Sequence, residues 1–387
     1  MSTPRVFADA VPRAFEQPVY VTRPLLPDLQ SYVAALRGIW ERKWLTNKGR
    51  LHDALEEALC GHLRVSHLSL TSSGTAALML SYRALQISGD VITTPLTSPA
   101  TVNSLTWCGL SPVFADIDPD NLTLDPHAVE RAITPRTSAI VAVHLYGMPC
   151  HVDRLQAIAE RHNLRLIYDG AHAFGTEIDG EPVAKFGDAT ILSFHATKLF
   201  NTAEGGAVVV ADPELKRRID LLRTLGIQDE VTVALPGINA RMNELQAALG
   251  LANLEIVEQE HSARAAIAQV YTERLAGIAG LTCLEFPAGV RNSQHYFVIR
   301  IANGASRLSR DDLYEHLKGF NIFARRYFFP LCSNFPFYRD LPSSAPHNLN
   351  VANRAAEEVL CLPLFGELGS TRAHQICDIV EYLLRRS

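Results

Sequence analysis

From about residue 67 onward the chain alternates short runs rich in β-branched residues with amphipathic stretches. This alternation constrains the fold more than any other feature. A strand followed by a helix cannot turn straight back as a hairpin, so the pattern is that of βα units around a mostly parallel sheet with helices covering the faces. The runs are HLSLTSS (67–73), DVITTP, SPVFADID, SAIVAVHLYG, LRLIYDGA and ATILSFH, with helical stretches over Thr75–Gln86 and Val152–His162. After ATILSFH only a short loop precedes GGAVVVAD, too short for a crossover helix, so that pair is expected to be antiparallel. Asp212 and Pro213 then suit the start of a helix running to about Arg223.

A long helical pattern from about Met242 to Ile278 is expected to lead out of this first unit. Beyond it QHYFVIRIA reads as a strand and LSRDDLYEHLKGF as a capped helix. NRAAEEVLCLPLF and RAHQICDIVEYLLRR read as further helical segments. The expected division is a large α/β domain over residues 1–245, with an N-terminal arm, and a smaller α+β domain over 246–387.

Composition narrows the function. A formal net charge of -5 offers no concentrated cationic surface for a nucleic-acid backbone, so nucleic acid is not an expected partner. The seven cysteines are scattered and form no CxxC pair, as expected of reduced core thiols, and no metal site is expected. The opening stretch MSTPRVFADAVPRAF lacks the apolar run of a signal peptide, and no uncharged run reaches the ~20 residues that span a bilayer. The expected location is the cytoplasm, away from membranes.

Three segments carry candidate chemistry. In SFHATKLFNTAEGG, Lys198 stands a few residues past an apolar strand. Desolvation there would lower the amine's pKa and make it nucleophilic, as imine formation with an aldehyde cofactor requires. Taken alone, Lys198 reads first as a surface lysine with its stem on apolar surface. In LRLIYDGAHAFG, Asp169 ends a strand, where α/β sheets build ligand crevices. It could hold a pyridine nitrogen protonated or simply cap a helix, and His172 could touch a ring hydroxyl or cap the strand. In LTSSGTAALMLSYRAL, Gly74 and Thr75 open a helix whose free amides and dipole favour a phosphate, although such a turn is also an ordinary cap.

In this order the three segments resemble the fold-type I pyridoxal-phosphate (PLP) enzymes, and more specifically the DegT/DnrJ/StrS family of nucleotide-sugar aminotransferases. The resemblance is carried by KWLTNKG (43–49), SSGTAAL (72–78), ITTP (92–95), VFADID (113–118), HLYGMP (144–149), YDGAHAFG (168–175), GDATILSFHATK (187–198), EGG (204–206) and GINARMNELQAALG (237–250). It covers nearly the full chain. It implies a mostly parallel seven-stranded sheet flanked by helices plus a smaller C-terminal α+β domain, and PLP as cofactor. Lys198 and Asp169 would be catalytic. Gly74, Thr75 and Ser193 would hold the phosphate, with His172 beside the ring. Asn239 would reach the phosphate of a neighbouring subunit, making the active unit a homodimer.

The same resemblance implies L-glutamate as amino donor, released as 2-oxoglutarate, and a nucleotide-linked keto sugar as acceptor. VTRPLLPDLQ, IWERKWLTNKG and RRYFFPLCSNFPFY look closest to the branch that aminates dTDP-4-keto-6-deoxyglucose. Arg326 and Tyr327 would then contact substrate, or pack between domains. A 3-keto sugar aminotransferase, a PLP-dependent sugar dehydratase and a non-catalytic sugar-nucleotide-binding regulator are the competing readings. Some family members that remove a hydroxyl have His in place of the lysine, and Lys198 argues against that reading.

Two positions depart from the family pattern. Ser98 stands where relatives place an aromatic ring on the cofactor's face, leaving that stacking without its usual partner. Ala203 replaces a glycine before the EGG turn, and the two following glycines are expected to supply the backbone freedom.

Overall fold

The computed structural model describes residues 11–386; the first ten residues of the stretch read for a leader lie outside it. Seven strands form the central sheet: β1 (His67–Thr71), β2 (Asp90–Thr93), β3 (Ser111–Phe114), β4 (Thr137–Val143), β5 (Arg165–Asp169), β6 (Ala189–Ser193) and β7 (Gly206–Val210). Their order is β1-β7-β6-β5-β4-β2-β3. β7 is antiparallel to both neighbours, with Gly206 opposite Thr71 on one side and Ser193 on the other, and the remaining pairings are parallel. The short loop before β7 therefore does what its length dictates.

Helices cover both faces, so the strands read as nearly continuous apolar runs rather than alternating ones. The last five residues of β4 and all of β7 are buried. On one side Ile167, Ile191 and Val208 pack with Ala77, Leu78 and Leu80 of α1 (Gly74–Ala84). On the other, Ile140 and Leu166 pack with Leu155 and Ile158 of the Val152–His162 helix. The parallel strands β4, β5 and β6 end on the same edge, and that edge carries the candidate residues.

The long pattern from Met242 is two helices, Glu244–Leu254 and Val257–Leu275. At the break the Ile256 amide bonds the Asn253 carbonyl three residues back, a tightened turn, while the buried Asn253 side chain donates to the Asn201 carbonyl at 2.9 Å. The first helix opens with an Asn243/Gln246 capping box, and its buried Glu244 accepts from the Leu51 and His52 amides, capping the Arg50–His62 helix. The second helix enters another core, built on an antiparallel sheet of Leu281–Cys283, Phe297–Ile301 and Val359–Leu362. The expectation of helix throughout NRAAEEVLCLPLF is corrected here. Helix stops at Glu358, and VLCL, buried on both faces and led by β-branched Val359, pairs with Phe297–Arg300. From the N-terminal arm, Val19–Tyr20 pairs in parallel with Ile322–Phe323 and Val19 is buried in the same core.

Candidate active site

A cavity of about 650 Å³ opens at the ends of β4, β5 and β6, within the size range of cofactor pockets. Gly74, Thr75, Asp169, His172, Ser193, Lys198, Arg326 and Tyr327, expected from the sequence to act together, all line it or its mouth. Asn239 does not. It is exposed in a loop, bridged to Thr224 and accepting from the Arg241 guanidinium at 2.9 Å.

At one end of the cavity, Ser73 caps α1 by accepting from the Ala76 amide at 3.1 Å. The next two amides, of Gly74 and Thr75, have no acceptor within the helix and carry the positive end of its dipole. A Cβ on Gly74 would come within 2.9 Å of Ser193 Cβ, so glycine is what lets the hydroxyl at the end of β6 approach this helix start. The result is a cradle of two amides and a hydroxyl suited to a phosphate.

Asp169, 4% exposed at the end of β5, holds each oxygen on one donor. Oδ2 accepts from the Thr101 hydroxyl at 2.7 Å and Oδ1 from the Ala171 amide at 3.0 Å. Each oxygen keeps a free lone pair. Burial pushes the Asp169 carboxyl up, and the Thr101 hydroxyl, the Ala171 amide and the charge of Lys198 oppose this. Thr101 lies in the first turn of α2 (Pro99–Trp107), which Ser98 caps by accepting from the Ala100 amide at 3.3 Å. Ser98 is thus engaged in starting the helix that orients the carboxylate.

Lys198 sits on the loop between β6 and β7, its exposed surface turned to the cavity. The loop is pinned on both sides of it. The Lys198 amide bonds the His195 carbonyl at 2.9 Å, and the next residues, Leu199 and Phe200, are buried, Phe200 stacking on Phe174 at 4.7 Å. Burial lowers the amine pKa to about 8, and Asp169 restrains the fall. The loop also corrects the reading of Ala203: the left-handed backbone, φ 64°, falls on Ala203 itself. Gly205 and Gly206 serve close approach instead, since a Cβ would lie 2.1 Å from Thr202 Oγ1 or 2.6 Å from the Gly74 nitrogen.

His172 is 5% exposed, and burial together with Lys198 drives its pKa well down. Its Nδ1 accepts from the Tyr146 amide at 3.1 Å, which assigns the proton of the neutral ring to Nε2. At the mouth, the Arg326 guanidinium is held by Asp311 at 2.9 Å and lies over the Tyr314 ring at 4.5 Å, whereas Arg325 is exposed. Tyr327 turns its carbonyl to the Tyr146 hydroxyl.

Sequence reasoning missed Thr101 and Tyr146. Thr101 carries no periodic signal, and Tyr146 lies within HLYGMP, a block whose family likeness gives its tyrosine no role.

The sequence model of the DegT/DnrJ/EryC1/StrS aminotransferase family matches residues 29–381. A dTDP-4-amino-4,6-dideoxy-D-glucose transaminase of Escherichia coli is 43% identical over 356 residues, 91% of this chain and 95% of that protein. The protein of the same name from Shigella dysenteriae is 42% identical, over 95% of this chain and 98% of its own. Among solved structures, DesI in the presence of its TDP-sugar product superimposes with a TM-score of 0.92 at 38% identity, covering 97% of this chain and 95% of DesI. Helicobacter pylori PseC, an aminotransferase of pseudoaminic acid biosynthesis, gives 0.89 at 31% identity, covering 96% and 100%.

Proposed function

Because this chain belongs to the DegT/DnrJ/EryC1/StrS aminotransferase family, we propose that it moves an amino group from L-glutamate to dTDP-4-keto-6-deoxy-D-glucose, forming dTDP-4-amino-4,6-dideoxy-D-glucose, with PLP as cofactor. The chain is a fold-type I α/β sugar-nucleotide aminotransferase. The observation that carries the cofactor reading is the meeting of a low-pKa lysine, a buried carboxylate and a helix-start anion cradle in one cavity. For the sugar, the support is that relatives matching nearly end to end are dTDP-4-amino-4,6-dideoxy-D-glucose transaminases.

The residues present fit PLP. Gly74, Thr75 and Ser193 would bind its phosphate, and the free lone pairs of Asp169 would keep its ring nitrogen protonated. The His172 Nε2 proton would face its hydroxyl. Bound there, PLP supplies an electron sink for the carbon that loses a proton. Lys198 would anchor it covalently and, once displaced by the amino donor, carry the proton to and from the reacting carbons, which an amine of pKa about 8 can do near neutral pH. Donor and acceptor would use this one cavity in turn.

Asn239 would act from the partner subunit, and the active form would be a homodimer. Supporting this, Trp107, Val231, Val233 and Ile238 are exposed by 80%, 94%, 68% and 40%, and Trp107 and Ile238 border one apolar hollow near Asn239. Use of glutamate and a nucleotide sugar is consistent with a cytoplasmic location; among the described residues no helix is long and apolar enough to cross a membrane.

Two measurements test the reading. Purified protein with PLP, glutamate and the 4-keto sugar nucleotide should yield the 4-amino sugar and 2-oxoglutarate by mass spectrometry. Preference for a 3-keto isomer would overturn the choice of carbon, and no amine from either would overturn the reading. Separately, only the neutral amine attacks an aldehyde, and Lys198 titrates near 8 rather than 10.5. The rate at which cofactor-free protein attaches added PLP should therefore rise about tenfold per pH unit up to pH 8 and then level off. A rise that continues to pH 10 would mean that the amine is not desolvated.

A further inference from the structure

Tyr146 is fully buried, yet its backbone is left-handed, with φ 60° and ψ 10°. An aromatic residue adopts that conformation only when surrounding contacts over-determine it, so the contacts are where its purpose is found. Two of them tie together two parts of the cavity lining that are far apart in sequence. Its amide donates to His172 Nδ1 at 3.1 Å, on the side of Asp169 and Lys198. Its hydroxyl donates to the Tyr327 carbonyl, in the segment 325–330 that lines the mouth.

Ring packing repeats the same connection. Tyr146, His172 and Phe328 lie nearly parallel: His172 is 6.4 Å from Tyr146 at 8° and 5.9 Å from Phe328 at 6°. Tyr296 stands edge-on to both Tyr146 and His172, at 6.3 and 5.2 Å, and meets Tyr327 at 5.3 Å. Segment 325–330 comes from the C-terminal part of the chain, 181 residues after Tyr146. Its backbone is otherwise tied near this point by the paired Arg325 and Cys361 amides and carbonyls, which face the other sheet.

We propose that Tyr146 is a positioning residue that registers segment 325–330 against His172, so that the wall meeting the sugar nucleotide and the floor holding the cofactor move as one body. This rests on the reading that the cavity takes PLP and a nucleotide sugar. A nucleotide sugar extends from Lys198 past the mouth and depends on that register. Glutamate is small enough to react beside Lys198 with little reference to it.

Tyr146→Phe removes the bond to Tyr327 and keeps the amide bond to His172. The two half-reactions of the holoenzyme are followed separately by the visible absorbance of the lysine-bound cofactor, alongside hydrogen exchange of the cofactor-free protein. The bleaching by glutamate should keep its rate within about twofold, while recovery with the keto sugar nucleotide slows roughly tenfold or more. Amides of 325–330 should exchange roughly tenfold faster with the rest of the molecule unchanged. Equal rates to wild type in both halves, or equal losses in both, would overturn the proposal. Should Tyr146→Phe yield no folded protein, hydrogen exchange of the wild-type protein decides: the amides of 325–330 must share the protection of the turn at Tyr146, and a segment that exchanges independently of that turn would overturn the proposal. Failure of wild-type protein itself to bleach with glutamate or to recover with the sugar would instead fault the reading of the site.

Discussion

Replacing Lys198 with alanine is expected to lower turnover by at least about four orders of magnitude, with no loss of fold. The size follows from the two tasks assigned to one amine, covalent anchoring and proton transfer, neither of which a neighbour can take over. His172 is held neutral with Nδ1 already engaged, and the guanidinium of Arg326 is paired with Asp311. The fold should survive because the Lys198 loop is fastened by Leu199, Phe200 and backbone bonds rather than by the amine. Burial already disfavours the charged amine, so removing it relieves a desolvation cost. Steady-state rates beside a melting curve check both halves of the statement. A variant that melts like wild type and still turns over would remove Lys198 from the mechanism.

The second large effect is expected at Asp169. Asp169→Asn keeps size and shape, and an asparagine carbonyl can still accept from the Ala171 amide. Its amide nitrogen cannot accept from Thr101, whose hydroxyl would turn to Thr97, 2.9 Å away. What disappears is the negative charge that would keep the cofactor's ring nitrogen protonated. Turnover should drop by about three orders of magnitude, with both half-reactions slowed alike, since both need the same electron sink. Unchanged rates would reduce Asp169 to a cap at the end of β5.

The equality of the two losses at Asp169 and their inequality at Tyr146 distinguish the groups' roles. A residue acting on the shared cofactor affects donor and acceptor equally; one acting on the mouth affects only the substrate that reaches it.

The central sheet was legible because its information is local. Six strands announce themselves as β-branched runs between helical stretches, and the length of one loop decides that β7 runs backwards. The lysine, carboxylate and helix-start cradle were legible for the same reason, each lying at a strand end within its own short segment. What escaped depends on distant partners. The helix breaks at Ile256 beside Asn253, which is bonded to Asn201, 52 residues back. VLCL is a strand because Phe297–Arg300 offers it an edge. Thr101 reaches Asp169 across 68 positions. Ala203 was misjudged for a subtler reason: glycines in a row suggest unusual torsions, whereas Gly205 and Gly206 are needed for the space a side chain would fill.

The covalent attachment site of the cofactor tests the account most directly. Protein loaded with PLP, reduced with borohydride and digested should carry the cofactor's mass on the peptide containing Lys198. Label on another lysine, or on none, would contradict the account.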